Sequence, residues 1–299
     1  METTLPAAAT TPSRRVGVVS ALFYVFLWAS AFAPSKILSV EAQPLWMLVI
    51  RFLIAGIVLA TIALFGRRRF PANTREWLEL ALLGLLTNAL YLGLAYISLE
   101  HLSSGIGAIL ASTTPLMLAL LAPRLLGESL TWSKGLGLLL GFAGVLAIMV
   151  VRAGTGTAQP RDVAINVLGV LSFVFSTILF KRIQRRHDLV VATSVQLAGA
   201  GIFLIPAAAA LEGSLHTVFT PAVLASLAYL IMVISIGASL LWFWLLTHGE
   251  ASRVSAFYFL TPAFGLVLGW LLLGERIAPR DLIGLIAIAA GISLVQRGN

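Results

Sequence analysis

Ten apolar stretches, each about 20 residues long and set apart by short polar segments, constrain this chain more than any other feature. A bilayer's hydrocarbon core is about 30 Å thick and a helix rises about 1.5 Å per residue, so one crossing needs roughly 20 mainly apolar residues. Such stretches lie near residues 16–37, 44–65, 76–98, 103–123 and 133–151, then near 163–181, 189–210, 221–246, 251–273 and 280–296. The third opens with Glu76 and Glu79, and the eighth is long enough to contain a break. Of the 299 residues 59% are hydrophobic and 11% are charged, whereas soluble domains average about half apolar and a quarter charged. A soluble fold could not cover that surface, so the expected fold class is an all-α membrane protein with ten transmembrane helices.

The formal charge of +8 raises the question of nucleic acid, but the basic residues sit at the ends of the spans and no nucleic-acid partner is expected. With the N-terminus inside, the inner segments carry Arg14, Arg15, Arg67, Arg68, Arg69, Arg75, Arg124, Lys134, Lys181, Arg182, Arg185, Arg186, Arg253 and Arg297. The outer segments carry only Lys36, Arg152, Arg161, Arg276 and Arg280, with Arg51 inside a span. The positive-inside rule then places both termini in the cytoplasm and requires an even number of spans. Arg14 and Arg15, followed by an apolar run and Ala31-Phe32-Ala33, resemble a signal peptide. The run is long enough to be a full span, however, and is read as one. With no cysteine, neither a disulfide framework nor a thiolate metal site is expected.

The stretch 99–144 aligns without a gap onto 246–291, a shift of 147 residues. His101 falls on His248, Thr114-Pro115 on Thr261-Pro262, Gly127-Glu128 on Gly274-Glu275, Gly137 on Gly284 and Gly144 on Gly291. Nearer the start, Lys36 on Lys181 and Arg51 on Gln196 need a shift of 145. Each half holds five spans, an odd number, so the second must enter the membrane from the opposite side. The expected domains are therefore two inverted five-helix repeats, 1–151 and 152–299, around a central cavity. Inverted repeats are a common architecture of secondary transporters, because exchanging the conformations of the two halves turns a state open to one side into its mirror.

Ten apolar helices in two halves, Leu27-Trp28-Ala29-Ser30 in the first helix, and a Thr-Pro followed twelve residues later by Gly-Glu in the fourth and ninth resemble the EamA-type carriers of the drug/metabolite transporter superfamily. Within that superfamily the chain looks most like bacterial inner-membrane exporters of aromatic and other neutral amino acids. Exporters of drugs or nucleosides are the alternative. The resemblance implies a small-molecule substrate, no cofactor, and the fifth and tenth helices at the periphery. A monomer is the expected state, with a dimer as the alternative.

The substrate of such a carrier lies near the midplane between the halves. Candidates there are Tyr24, Trp28, Ser30, Asn88, Tyr91, Trp242 and Tyr258. They combine aromatic walls with a few uncharged donors and acceptors, as a ligand pocket requires. Thr87 stands beside them. Trp46, Trp77, Trp132 and Trp270 are nearer span ends and read as interfacial anchors. Arg51 is the only basic residue well inside a span, where a charge costs at least about 3 kcal/mol at the bilayer centre. It faces a cavity, where it would contact a substrate carboxylate, or a partner, with snorkelling to the interface as the alternative.

Pro115 and Pro262 each remove a backbone donor inside a helix and are candidate hinges or static kinks, with Thr113, Thr114 and Thr261 able to bond the disturbed backbone. Glu128 and Glu275, each ahead of the next helix, are expected to cap helices or pair with an arginine, with a role in closing one gate as the alternative. Gly135, Gly137, Gly141, Gly144, Gly284 and Gly291 make small-residue packing faces, expected to meet within the bundle.

A membrane enzyme would need a nucleophile with its base, or a metal site. The four histidines (His101, His187, His216 and His248) lie near span ends without metal-ligand spacing, so neither an enzyme nor a metal centre is expected. A channel normally brings oligomeric symmetry, which an inverted repeat in one chain does not suggest.

Overall fold

The computed structural model describes residues 14–99, 101–102, 104–152, 159–273 and 279–298. Among the described residues nine helices are long and apolar enough to cross a membrane: α1 (Arg15–Glu41), α2 (Pro44–Phe65), α3 (Thr74–Ser98), α4 (Ile106–Leu126), α5 (Trp132–Val150), α6 (Pro160–Arg186), α7 (Leu189–Glu212), α8 (Pro221–His248) and α9 (Ala251–Leu268). A further helix, α10 (Pro279–Arg297), follows. Their outward faces carry large apolar side chains such as Ile57, Leu64, Phe203, Ile283 and Ile286. An apolar exterior of that extent suits lipid rather than water.

Helix starts follow local chemistry. Pro44, Pro160 and Pro221 open α2, α6 and α8, where a missing amide hydrogen costs nothing. Asn73 accepts from the Glu76 amide while the Glu76 carboxylate accepts from Ala72 N, so the acidic start of the third span is a capped helix terminus. Asp188 accepts from the amides of Val190 and Val191 at the start of α7.

Several spans are interrupted. In α1 the helix breaks at Ala31, where Pro34 cannot donate to the carbonyl of Ser30. The eighth span is continuous, and its irregularity is a π-helical stretch, Leu230–Ala238. A matching π-helical stretch, Leu85–Leu90, lies in α3. Such segments place extra residues in a turn and are frequent at functional positions.

Two antiparallel pairs frame the bundle, α2 with α7 and α5 with α10. Glycine sets the approach of both. A Cβ at Gly137 would lie 2.6 Å from the carbonyl oxygen of Gly291, and one at Gly144 would lie 2.6 Å from that of Gly284. In the other pair a Cβ at Gly56 would meet Ala198 N at 2.7 Å, and one at Gly201 would meet Leu53 Cγ at 2.7 Å. Of the glycines expected to pack, Gly137, Gly141, Gly144, Gly284 and Gly291 lie in close contacts inside one chain, whereas a Cβ at Gly135 would meet open space. Between these pairs, α3 packs on α6 and α1 on α8, while α4 and α9 complete the wall.

Candidate functional site

Five helices send aromatic rings to one place. Tyr24 on α1 stacks on Trp242 of α8 with centroids 5.1 Å apart, and meets Tyr258 of α9 edge-on at 5.7 Å. The hydroxyls of Tyr24 and Tyr258 hydrogen-bond to each other across the two halves of the chain. Trp28 lies 6.3 Å from both Tyr24 and Tyr258. Tyr91 of α3 packs on Phe173 of α6 at 4.7 Å, and Phe173 reaches Trp242 at 5.8 Å. Offset and edge-on arrangements at these distances are the favourable ones for aromatic quadrupoles.

A narrow cleft opens beside these rings, lined by Tyr24, Trp28, Tyr91, Phe173 and Trp242 together with Thr87, Asn88 and Ser239. No side chain in this lining is charged. The Thr87 hydroxyl and the Asn88 amide nitrogen are buried and have no hydrogen-bond partner among the described residues. Leaving such groups unpaired costs about 1–3 kcal/mol each, and both lie in the π-helical stretch of α3. The cleft thus combines apolar walls with two unused polar groups, the composition of a small-molecule site.

The structure brings together Tyr24, Trp28, Asn88, Tyr91, Trp242 and Tyr258, and places the other candidates elsewhere. Ser30 is turned away: its hydroxyl donates to Leu27 O at 2.6 Å and bonds the Tyr229 hydroxyl at 2.6 Å. Arg51 does not line the cleft; it faces a partner inside the bundle. It is 4% exposed, its Nε donates to Ser235 Oγ at 2.7 Å, and its guanidinium lies 5.3 Å from the Phe52 ring centroid.

Pro115 and Pro262 sit near the start of a helical segment that follows a break, rather than in an uninterrupted helix. Thr114 donates to Ala111 O at 2.7 Å, the carbonyl that Pro115 leaves without an amide partner. Thr261 has a buried hydroxyl with no partner, and its segment follows a 3₁₀ turn at Phe257–Leu260. Glu128 caps a helix, though one in the other half. It accepts from the amides of Ala251 and Ser252 at 2.6 and 3.1 Å and from the Ser252 hydroxyl at 2.6 Å. Gly127 before it takes φ 71°, the left-handed helix ending that glycine permits. Gly274, Glu275 and the side chain of Trp270 lie outside the described residues.

Sequence reasoning missed Phe173, Tyr229 and Ser235. A phenylalanine or serine within an apolar span carries no distinguishing pattern. Gln196 is fully buried, and neither polar atom of its amide has a partner among the described residues. Its signal was available, since it falls on Arg51 at a shift of 145.

A profile described as the EamA-like transporter family matches residues 15–150 and 163–297. Among similar proteins, the uncharacterized transporter YvbV of Bacillus subtilis is 30% identical, covering 95% of this chain and 92% of its own. The uncharacterized inner membrane transporter YedA of Escherichia coli is 27% identical over 93% and 90%. A WAT1-related chloroplastic protein of Arabidopsis thaliana is 27% identical over 91% and 67%. One crystal structure has the same fold, with a TM-score of 0.79 at 16% identity over 95% of this chain and 98% of that one. An apolar helical bundle with a buried aromatic cleft, matched by the family profile along nearly its whole length, is a membrane transporter, and the chain belongs to the EamA-like transporter family.

Proposed function

We propose that this chain is a secondary carrier that exports small amphipathic metabolites, aromatic and other neutral amino acids first among them, from the cytoplasm across a bacterial inner membrane by alternating access. The observation that carries the reading is the cleft itself. Its aromatic walls come from both halves of the chain, and its free polar groups among the described residues are the Thr87 hydroxyl and the Asn88 amide nitrogen. A zwitterion stripped of water needs such partners, and an aromatic or aliphatic side chain needs such walls.

In this reading α10 is the tenth span, and residues 1–151 and 152–299 are inverted repeats with both termini cytoplasmic. The helix pairs support the symmetry. Exchanging the halves at a shift of 147 turns the Gly137–Gly291 approach into the Gly284–Gly144 approach. At a shift of 145 the Gly56–Ala198 approach becomes that of Gly201 and Leu53. Both glycine seams are used inside the chain, which suits a monomer. Arg51, held at Ser235 rather than in the cleft, is the group that would take a carboxylate on the path to it.

Uptake of radiolabelled tryptophan, phenylalanine, leucine, a purine nucleoside and a cationic drug into proteoliposomes tests the assignment. Saturable uptake of the amino acids, with little of the others, is expected. Selective uptake of the nucleoside or the drug would overturn the substrate class.

A further inference from the structure

Gln196 presents a fully buried amide whose oxygen and nitrogen both lack a partner among the described residues. An apolar side chain would fill the space at no such cost. Its place in the fold gives it a target. The backbone of Gln196 packs against Gly84, where a Cβ would fall 2.9 Å from Gln196 Cα. Asn88, one helical turn further along α3, has its own amide nitrogen buried and unpaired.

The other half holds the same arrangement in its bonded form. The 145-residue register that carries Arg51 onto Gln196 is the one in which the α2–α7 glycine contacts exchange. The 147-residue register carries Asn88 onto Ser235, and each of those two residues lies in a π-helical stretch. Arg51 with Ser235 and Gln196 with Asn88 are therefore the same pair in the two halves. The first is closed by a 2.7 Å hydrogen bond, whereas the amides of the second carry no bond at Gln196 or at the Asn88 nitrogen.

We infer that Gln196 is the positioning partner of Asn88: its side-chain amide bonds that of Asn88 in the conformation facing the opposite side of the membrane, and releases it to substrate in the conformation described here. The inference rests on the alternating-access reading and adds to it the pair that opens and closes. When the halves exchange conformations, the Arg51–Ser235 bond opens as the Gln196–Asn88 bond forms. Asn88 is then offered to substrate in only one of the two states.

The chain has no cysteine, so a single Ser239→Cys substitution in the lining of the cleft reports access to a membrane-impermeant maleimide. In that background Gln196→Leu and the unbranched Gln196→Met are expected to shift the labelling rate at least about threefold in one direction, and Ser235→Ala about threefold in the other. Asn88→Leu is expected to act as Gln196→Leu does, and the double variant to move no further than either single, as for two residues in one interaction. Labelling unchanged in both Gln196 variants, or additive effects of the Gln196 and Asn88 substitutions, would overturn the inference. If Ser235→Ala alone moves the rate, the carrier reading stands and the role of Gln196 falls. If no substitution moves it and the parent shows no counterflow, both fall.

Discussion

Glu128, at the end of α4, accepts a 2.6 Å hydrogen bond from the hydroxyl of Ser252 in the first turn of α9. With the amides of Ala251 and Ser252 on the same carboxylate, one side chain joins the two halves at one end of the bundle. The helix N-terminus carries partial positive charge that a carboxylate complements.

Glu128→Ala should therefore destabilise the fold by about 1 kcal/mol, the usual cost of a lost helix cap, which corresponds to a midpoint about 2 °C lower for a chain of this size. Glu128→Gln should retain part of the effect. Thermal unfolding of detergent-solubilised protein measures both. Arg75→Ala is the comparison: that side chain is 80% exposed in its pair with Glu79, and an exposed pair contributes little.

Trp28→Ala and Asn88→Ala should each lower transport at least about tenfold, equal to about 1.4 kcal/mol, with normal membrane insertion. Trp28 packs on the ring cluster and Asn88 supplies an unused donor. Trp132 is 88% exposed, so Trp132→Ala should transport like the parent. Two active site variants beside a failing control would mean that the cavity lies elsewhere.

Reporter fusions at Asn299 should place the C-terminus in the cytoplasm, following the distribution of basic residues at span ends. An external location would remove the inverted five-plus-five arrangement.

Among the described residues no carboxylate or histidine lines the cleft, whereas proton-driven carriers usually place such a group in the membrane. Transport should therefore run down the substrate's own gradient, or by exchange, and an imposed pH gradient should leave it unchanged. Accumulation driven by pH alone would contradict this.

The helix pattern was legible because a span must be apolar over its whole length. The start of α3 was open to reading as well, since Asn73 followed by Glu76 is a capping sequence. The rotation of each helix was not. A helix apolar all round gives little sign of which face is inward, so Ser30 looked like a site residue and Phe173 did not. Tyr24, Trp28, Tyr91, Trp242 and Tyr258 were legible as mid-span aromatics, although nothing in their spacing revealed that they form one cluster. The π-helical stretches that carry Asn88 and Ser235 leave no mark in hydropathy. The role of Arg51 depended on a serine 184 residues away, a contact that only the fold reveals.

Counterflow in proteoliposomes tests the central claim most directly. Vesicles preloaded with unlabelled tryptophan should take up external labelled tryptophan faster than empty vesicles do, with saturation as the external concentration rises, and Asn88→Ala should abolish the stimulation. Flux that rises linearly with concentration and ignores the preloaded substrate would contradict a carrier that binds its substrate in this cleft.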